Sequence, residues 1–341
     1  MSGGASGAPP DVSVSIVNTS SRELLLACLQ SLERDAGGRV AVEVVVLDNA
    51  SEDGSAEAVR ERHPWARVIA QPFRAGFGAN HNTVVRASTG RYVYVLNEDT
   101  TSEPGCFDRM VAYLDEHPRV GALGPRVVYP DGRRQASAWR FPTPAAAALG
   151  ALTLGKAGLV QSAGSRPRRV DWATGCALLL RRVALEEVEL FDERFFLYSE
   201  ETDLCRRLAA AGWETHYVPE TTVVHHVSQF SAKVPERRIV EHWRSRRRYL
   251  AKHHSVLGGR TALLLGGLLY ATRALAAFVL LRLPERRRPL VIGPADAAQF
   301  RLHARNAWWG ETGAGLAELA QEWNASHGVA SEPTSAHPVG S

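Results

Sequence analysis

Three acidic clusters carry side chains suited to work on a charged substrate: Asp48-Asn49-Ala50-Ser51, Asn97-Glu98-Asp99 and Ser199-Glu200-Glu201-Thr202-Asp203. Any one of them alone reads as turn and capping chemistry. Together they suggest more, because carboxylate oxygens match a hard divalent cation such as Mg2+ or Mn2+. Mg2+ in particular is commonly held by one or two carboxylates plus substrate phosphates. A phosphorylated ligand is therefore expected.

The elements that must position these groups follow from hydrophobic pattern. Residues 12–17, 42–47, 67–70 and 92–96 are apolar runs that predict strands. Between them lie a helix over 22–34, with Ser20 or Ser21 as cap and Leu25, Leu29 and Leu32 facing inward, and a second helix ending near Arg62. Strands apolar on both faces and separated by helices imply an α/β fold, a mostly parallel sheet with helices on both faces. Ligands in such sheets bind at the carboxyl ends of strands, where Asp48 and Asp99 fall. Further on, Ser199 is expected to N-cap a helix with Glu200 at its first and Glu201 at its second position, Leu204 and Leu208 forming the apolar stripe and Gly212 the stop. A hairpin is expected around Pro130-Asp131-Gly132, loop or lid over 145–160 and 164–169, one buried strand over 172–182, and a last strand over 221–224 that ends at His225-His226.

Composition is that of a globular protein: 341 residues, 45% hydrophobic, 22% charged, net charge +4. The small total hides a polarity. Residues 233–288 hold 14 Lys and Arg against three acids, a net +11, which leaves the rest at −7. An anionic partner is expected for that basic appendage. The four cysteines stand far apart with no paired spacing, so neither a disulfide framework nor a cysteine zinc site is expected and a reduced, cytosolic setting fits. The first ten residues lack the basic and apolar regions of a secretory signal and read as a disordered tail, as do residues 326–341.

With their order and spacing, the quoted clusters and several further segments resemble the inverting family 2 glycosyltransferases of GT-A fold, especially the rhamnosyltransferase-like branch. The resemblance spans residues 12–231. It rests on Val45-Val46-Leu47-Asp48-Asn49-Ala50-Ser51-Glu52-Asp53-Gly54, Gly76-Phe77-Gly78-Ala79-Asn80-His81-Asn82, Leu96-Asn97-Glu98-Asp99, the run from Phe191 through Glu200-Glu201-Thr202-Asp203 to Arg207, and Val224-His225-His226. The chain departs from the family pattern at Val17-Asn18, where Tyr-Asn is frequent, at Arg74 in place of Asn, and at Glu200-Glu201 in place of Glu-Asp.

The resemblance implies a nucleotide-diphospho-sugar fold, Rossmann-like, over residues 11–232, with a C-terminal helical region over 233–325. It implies nucleotide contacts from Asn18, Asp48, Asn49, Ser51, Asn97 and Glu98. Asp99 would bind a divalent cation, Mg2+ or Mn2+, with His225 a further ligand and His226 the alternative. Glu201 would be the catalytic base with Glu200 supporting it, or the reverse. The implied reaction moves a sugar, rhamnose from dTDP-rhamnose, to a saccharide or lipid-linked acceptor in cell-wall or polysaccharide synthesis. The alternatives are a UDP-hexose donor or soluble acceptor, and an inactive sugar-nucleotide fold serving as a membrane- or nucleic-acid-binding protein.

Other features have plainer readings. Gly76-Phe77-Gly78 lacks the third glycine of a dinucleotide fingerprint and reads as a close-packed turn. Asp203 and Arg207, four apart, read equally as a surface ion pair or as function. Asp192 and Glu193 read as turn formers. The run 237–252 interleaves cations with Trp243 and Tyr249, but no DNA- or RNA-binding module is present and no nucleic-acid partner is expected. Residues 261–283 are apolar yet interrupted by Arg273 and Arg282, and neither piece flanking Arg273 reaches the ~20 residues of a membrane span. Two short in-plane helices broken near Arg273 are expected. With Arg286-Arg287-Arg288 and the rest of residues 233–290 they would meet an anionic membrane at the inner face of the plasma membrane, the protein being cytoplasmic and peripheral.

Overall fold

The computed structural model describes residues 9–35, 38–153, 159–226, 234–284 and 293–329. Expectations for the terminal tails (residues 1–8 and 330–341), for 154–158, for Lys233 and for Arg286-Arg287-Arg288 lie outside the described residues.

The chain begins β1 (Val12–Asn18), α1 (Arg22–Asp35), β2 (Val42–Asn49), α2 (Ser55–Arg62), β3 (Arg67–Gln71), α3 (Phe77–Arg86) and β4 (Tyr92–Asn97). It continues β5 (Thr100–Ser102), α4 (Cys106–Glu116), β6 (Val120–Val128), β7 (Arg134–Gln135), β8 (Ala138–Trp139), α5 (Pro144–Leu152), β9 (Arg168–Val170), β10 (Trp172–Ala173), β11 (Ala177–Arg181), α6 (Arg182–Glu187), α7 (Glu200–Ala210) and β12 (Glu214–His225). Four helices follow: α8 (Pro235–His253), α9 (Val256–Leu280), α10 (Pro294–Trp309) and α11 (Leu316–Ser326).

The main sheet runs β3-β2-β1-β4-β11-β6-β12-β5, with β7 added beside β6 and β9 beside β12. Its first half is parallel, β1 pairing both β2 and β4 and β2 pairing β3. Beyond β4 it is mixed: β11 runs antiparallel to β4 and β6, while β12 is parallel to β6. The period-2 alternation of strands explains the two cores. Val12, Val14, Ile16, Tyr92, Tyr94 and Leu96 pack on one face with Leu25, Leu29, Phe107 and Met110. Val93, Val95, Leu178 and Leu180 pack on the other with Leu204, Leu208 and Phe191. Parallel β1, β2 and β4 all deliver their carboxyl ends to one edge, as the apolar runs required.

Four expectations are corrected. The loop expected from 145 is helical over Pro144–Leu152: Pro144 stands at its first turn and the Thr143 hydroxyl accepts from the Ala146 N–H, a start signal that outweighs the small-residue composition. The single strand expected over 172–182 is broken, β10 pairing with β8 in a separate ribbon while Thr174 and Gly175 turn the chain into β11. A helix not foreseen, α3, starts from Gly76 and follows β3 directly. The helix expected to break at Arg273 runs unbroken from Val256 to Leu280, and within it the Arg273 guanidinium lies over the Tyr270 ring at 5.5 Å.

The hairpin expected around Gly132 forms, with β6 and β7 antiparallel. One expectation on the basic appendage changes. The cations of α8, however, do not form an open charged surface: Arg244 pairs with Glu241, Glu311 and Glu318, Arg237 with Glu322, and Lys252 with Asp192 and Asp203. Arg247 donates to the carbonyl oxygens of Asn306 and Ala307, and Arg248 to that of Arg194. Much of the +11 is spent in docking the C-terminal helices on the sheet domain and on one another.

Candidate active site

Where β1, β2 and β4 end, a cleft of about 430 Å³ opens, lined among others by Thr19, Asn49, Asn97, Glu98, Asp99, Glu200, Glu201 and His225. Local backbone explains why polar side chains gather there. Ser20 and Ala50, just beyond β1 and β2, and Tyr198 and Ser199, just before α7, have φ between +51° and +70°. Such left-handed non-glycine residues are costly and concentrate at functional sites. The last two turn the chain so that α7 starts on Glu200. Ser199 does occupy the N-cap position, but its side chain makes no capping bond; its carbonyl accepts from the Asp203 N–H instead.

The nucleotide-side residues expected from the sequence divide into two groups. Asn49 lines the cleft, and its side chain is held by four bonds: its Nδ2 donates to Thr19 Oγ1 (3.0 Å) and the Ala75 carbonyl (3.4 Å), and its Oδ1 accepts from Gln71 Nε2 (2.7 Å) and the Ala75 N–H (2.9 Å). Asn18, Asp48 and Ser51 do not line it. Asn18 Nδ2 donates to Ser51 Oγ (2.9 Å) and the Ser51 N–H donates to Asp48 Oδ2 (3.2 Å), so these three lock the β1 and β2 termini together. Asn97 and Glu98 line the cleft, and burial together with the charge of Asp99 pushes the Glu98 carboxyl up to about 8.

Asp99 and His225 meet across the β5–β12 edge. Asp99 Oδ1 lies 3.2 Å from His225 Nε2, and the His226 N–H donates to the Asp99 carbonyl at 2.8 Å. His225 Nδ1 is 3.0 Å from Gln135 Oε1, a geometry in which Nδ1–H donates to the amide and Nε2 keeps a lone pair facing Asp99. That is the outer-shell arrangement of a metal-ligating histidine, and the pair fits a divalent cation. No group of three or more His, Cys, Asp or Glu suited to a metal exists among the described residues.

Glu200 and Glu201 open α7 and line the same cleft. Glu200 is 3% exposed, and burial with the adjacent Glu201 charge drives its carboxyl well above the usual carboxylate range. Burial raises Glu201 too. It is opposed by the N–H groups of Thr202 and Gly175 and by the Arg246 charge. Of the two, Glu201 is therefore the member built to carry charge. Gly175 reaches it because of the break between β10 and β11: a Cβ there would crowd the Phe77 ring at 3.1 Å and Glu201 Cβ at 3.8 Å.

Neighbouring acids are structural. Asp203, fully buried, accepts from Arg207 (2.7 Å), Lys252 (2.8 Å) and His253 (2.7 Å) and so ties α8 to α7. Asp192 is bound by Arg194 and Lys252, and Glu193 accepts from Asn82 Nδ2. The Gly76-Phe77-Gly78 segment is close-packed as expected: a Cβ on Gly76 would sit 2.6 Å from the Phe196 oxygen.

The cleft has walls the sequence reading missed. Arg74, Tyr198, Arg238 and, from α11, Leu316, Leu319 and Ala320 all line it. The α11 helix is fastened over the nucleotide side. Asn324 Oδ1 accepts from the Arg74 N–H (2.7 Å), its Nδ2 donates to the Arg74 carbonyl (3.1 Å), and the Arg74 guanidinium lies 4.3 Å over the Trp323 ring. Trp323 Nε1 donates to Glu52, which also binds Arg74. A four-residue recurrence, Arg238-His242-Arg246, was the available signal for α8.

The model of Glycosyltransferase like family 2 matches residues 9–247. The chain is a family 2 glycosyltransferase. This glycosyltransferase is 33% identical over 235 residues to the N-acetylglucosaminyl-diphospho-decaprenol L-rhamnosyltransferase of Mycobacterium tuberculosis, a match covering 63% of this chain and 76% of that one. It is rhamnosyltransferase-like within the family. Among solved structures it resembles the mannosyltransferase PcManGT of Pyrobaculum calidifontis, in complex with GDP-Man and Mn2+, at 19% identity and TM-score 0.55, over 89% of this chain and 88% of that one. It also resembles S. aureus TarS residues 1–349 in complex with UDP-GlcNAc, at 14% identity and TM-score 0.51, over 87% and 90%. These likenesses establish the fold of this glycosyltransferase as GT-A.

Proposed function

We propose that this glycosyltransferase moves rhamnose from dTDP-rhamnose, with inversion, to a lipid-linked N-acetylglucosaminyl acceptor on the path to a cell-wall or surface polysaccharide. The observation that carries the reading is that a single cleft gathers the Asp99–His225 pair and the Glu200-Glu201 pair. The rhamnosyltransferase relative supports the choice of donor and acceptor.

Asp99 and His225 would hold a divalent cation, Mg2+ or Mn2+, which when bound supplies charge neutralisation for the leaving diphosphate. Glu201 takes the proton of the acceptor hydroxyl as that oxygen attacks the anomeric carbon. The bond to acceptor oxygen forms, the bond to the diphosphate oxygen breaks on the opposite face, and one such displacement inverts the centre. A base whose pKa is lifted toward neutrality suits this task better than an ordinary carboxylate. Glu200, kept neutral by burial beside Glu201, orients its neighbour. Asn49, Asn97 and Glu98 face the donor; Asn18, Asp48 and Ser51 hold the strand ends that carry them.

The same reading makes the protein peripheral on the inner face of the plasma membrane, with residues 11–232 as the transferase domain and 233–325 as a helical region that both roofs the cleft and meets the lipid. Transfer from dTDP-rhamnose to N-acetylglucosaminyl diphosphate on a short prenyl chain is the test, with UDP-hexoses as competitors and Mn2+ withheld in a parallel series. Asp99→Ala and Glu201→Ala are each expected to abolish transfer. Undiminished transfer in either variant sinks the catalytic assignment, and preference for a UDP-hexose sinks the donor assignment.

A further inference from the structure

Next to the catalytic cleft lies a second hollow of about 210 Å³, lined by Tyr198, Arg238, Ile239, His242 and His303. It shares Tyr198 and Arg238 with the cleft, so the two are separated only by those side chains. Its polar lining is cationic or hydrogen-bond donating, and no carboxylate lines it.

Arg238, His242 and Arg246 recur at four-residue spacing on α8, about 40° apart per step on a helix of 3.6 residues per turn, and so share one face. The other arginines of α8 are occupied: Arg237 and Arg244 by glutamates, Arg247 and Arg248 by backbone carbonyls. Arg238 pairs with no carboxylate among the described residues. Arg246 lies close enough to Glu201 to act on its charge. One stripe of α8 thus carries Arg238 into the cleft and Arg246 within reach of the Glu201 charge.

His303 extends the stripe outward. Its Nδ1 accepts from Trp243 Nε1 at 3.1 Å, which puts the proton of the neutral ring on Nε2 and makes it a donor. Its ring stacks on Tyr270 of α9 at 4.2 Å, with Arg273 of α9 near enough to act on it electrostatically. Through His303 the hollow thus lies beside α9, the helix that exposes Leu264, Leu268 and Leu275. Burial of His242 and His303 beside these arginines holds both rings neutral, a condition that an arriving anion relieves.

We propose that this hollow binds the diphosphate of the lipid-linked acceptor, Arg238 being its principal cation and His242 and His303 its neutral donors. The proposal rests on the transferase reading above and deepens it. An acceptor whose sugar hydroxyl reaches Glu201 places its diphosphate on the far side of that sugar from the donor. The hollow offers positive charge there, and α9 offers an apolar surface beyond it for the prenyl chain.

The test compares two acceptors on the intact enzyme: N-acetylglucosaminyl diphosphate on a short prenyl chain, and an octyl N-acetylglucosaminide with no phosphate. Arg238→Gln is expected to raise KM for the first at least tenfold while leaving KM for the second and for dTDP-rhamnose unchanged, with Arg238→Lys recovering part of the loss. A raised donor KM assigns Arg238 to the donor and overturns the proposal, as does an equal rise for both acceptors or no rise at all. Calorimetric binding of a short prenyl diphosphate reads the same subsite without turnover. Binding at least tenfold weaker in Arg238→Gln or in His303→Ala supports it, and unchanged or absent binding in the wild-type comparison overturns it. If the prenyl diphosphate binds as described but no sugar is transferred, the transferase reading fails and the subsite stands.

Discussion

Glu200 and Glu201 are chemically identical, and only their surroundings divide the work between them. Glu201 has N–H groups from Thr202 and Gly175 and the Arg246 charge to stabilise its ionised form; Glu200 is nearly sealed and has its neighbour's charge against it. Glu201→Gln is therefore expected to cost about 10²–10⁴ in kcat, the usual worth of a general base, with nucleotide affinity kept. Glu200→Gln, which mimics the protonated acid, is expected to keep most of kcat; steady-state kinetics showing the reverse ranking would move the base to Glu200. Because burial raises the Glu201 pKa above the ordinary 4.5, its active ionised form is lost as pH falls through that higher value. The kcat profile should accordingly have an acid limb whose midpoint stands above 4.5 and vanishes in Glu201→Gln. The acidic clusters together with the family resemblance marked Glu200, Glu201, Asp99 and His225. They could not mark Arg238, one arginine in a run of similar ones, whose distinction is what its neighbours pair with.

At the scale of elements, α9 inverts the usual arrangement of an amphipathic helix. Its small residues, Gly259, Ala262, Gly267, Ala274 and Ala277, are buried against the protein. Its large ones face out: Leu257 is 77% exposed, Leu264 60%, Leu268 47%, Leu275 63% and Val279 53%. The outward set recurs at alternating seven- and four-residue spacing, which is one stripe along the helix. Its 25 residues are long and apolar enough to cross a membrane by length and composition, yet one face is already docked on α5, α8 and α10. An in-plane seat in the interface fits both facts. Replacing Leu264, Leu268 and Leu275 with Gln is expected to release the protein from anionic liposomes in a flotation assay while its melting temperature changes little. Continued flotation would place the lipid contact elsewhere. Apolar pattern predicted helix over this stretch but not its continuity, because Tyr270, over whose ring Arg273 lies, gains its stacking partner His303 only when α10 docks.

Across the whole molecule, legibility follows the range of the contacts. The β1 to β4 half is built from neighbouring βαβ units and could be read from local period. The mixed half, the β10 break and the C-terminal helices depend on partners distant in sequence. Buried histidines give the assembled fold an acid weakness that belongs to no single element. His81, fully buried with Nδ1 2.7 Å from Ser15 Oγ, is held down to about 3, and His242 likewise to about 3. The unfolded chain binds protons at such rings below about 6.5 while the folded one does not until about 3, so each ring withdraws roughly 1.4 kcal/mol of stability per pH unit across that window. Urea unfolding between pH 7 and 4 should show this loss, and His81→Asn should shrink the slope; an identical slope would mean that His81 protonates in place.

The fastening of Asn324 to Arg74 has a consequence for how the enzyme comes into being. These residues are 250 positions apart, yet the wall that Leu316, Leu319 and Ala320 contribute depends on their meeting. During synthesis the sheet can form, and Asp99 and Glu201 can take their places, long before α11 has left the ribosome. A half-made or clipped chain would thus lack the wall that α11 gives the cleft, so the site is completed only once α11 has been made.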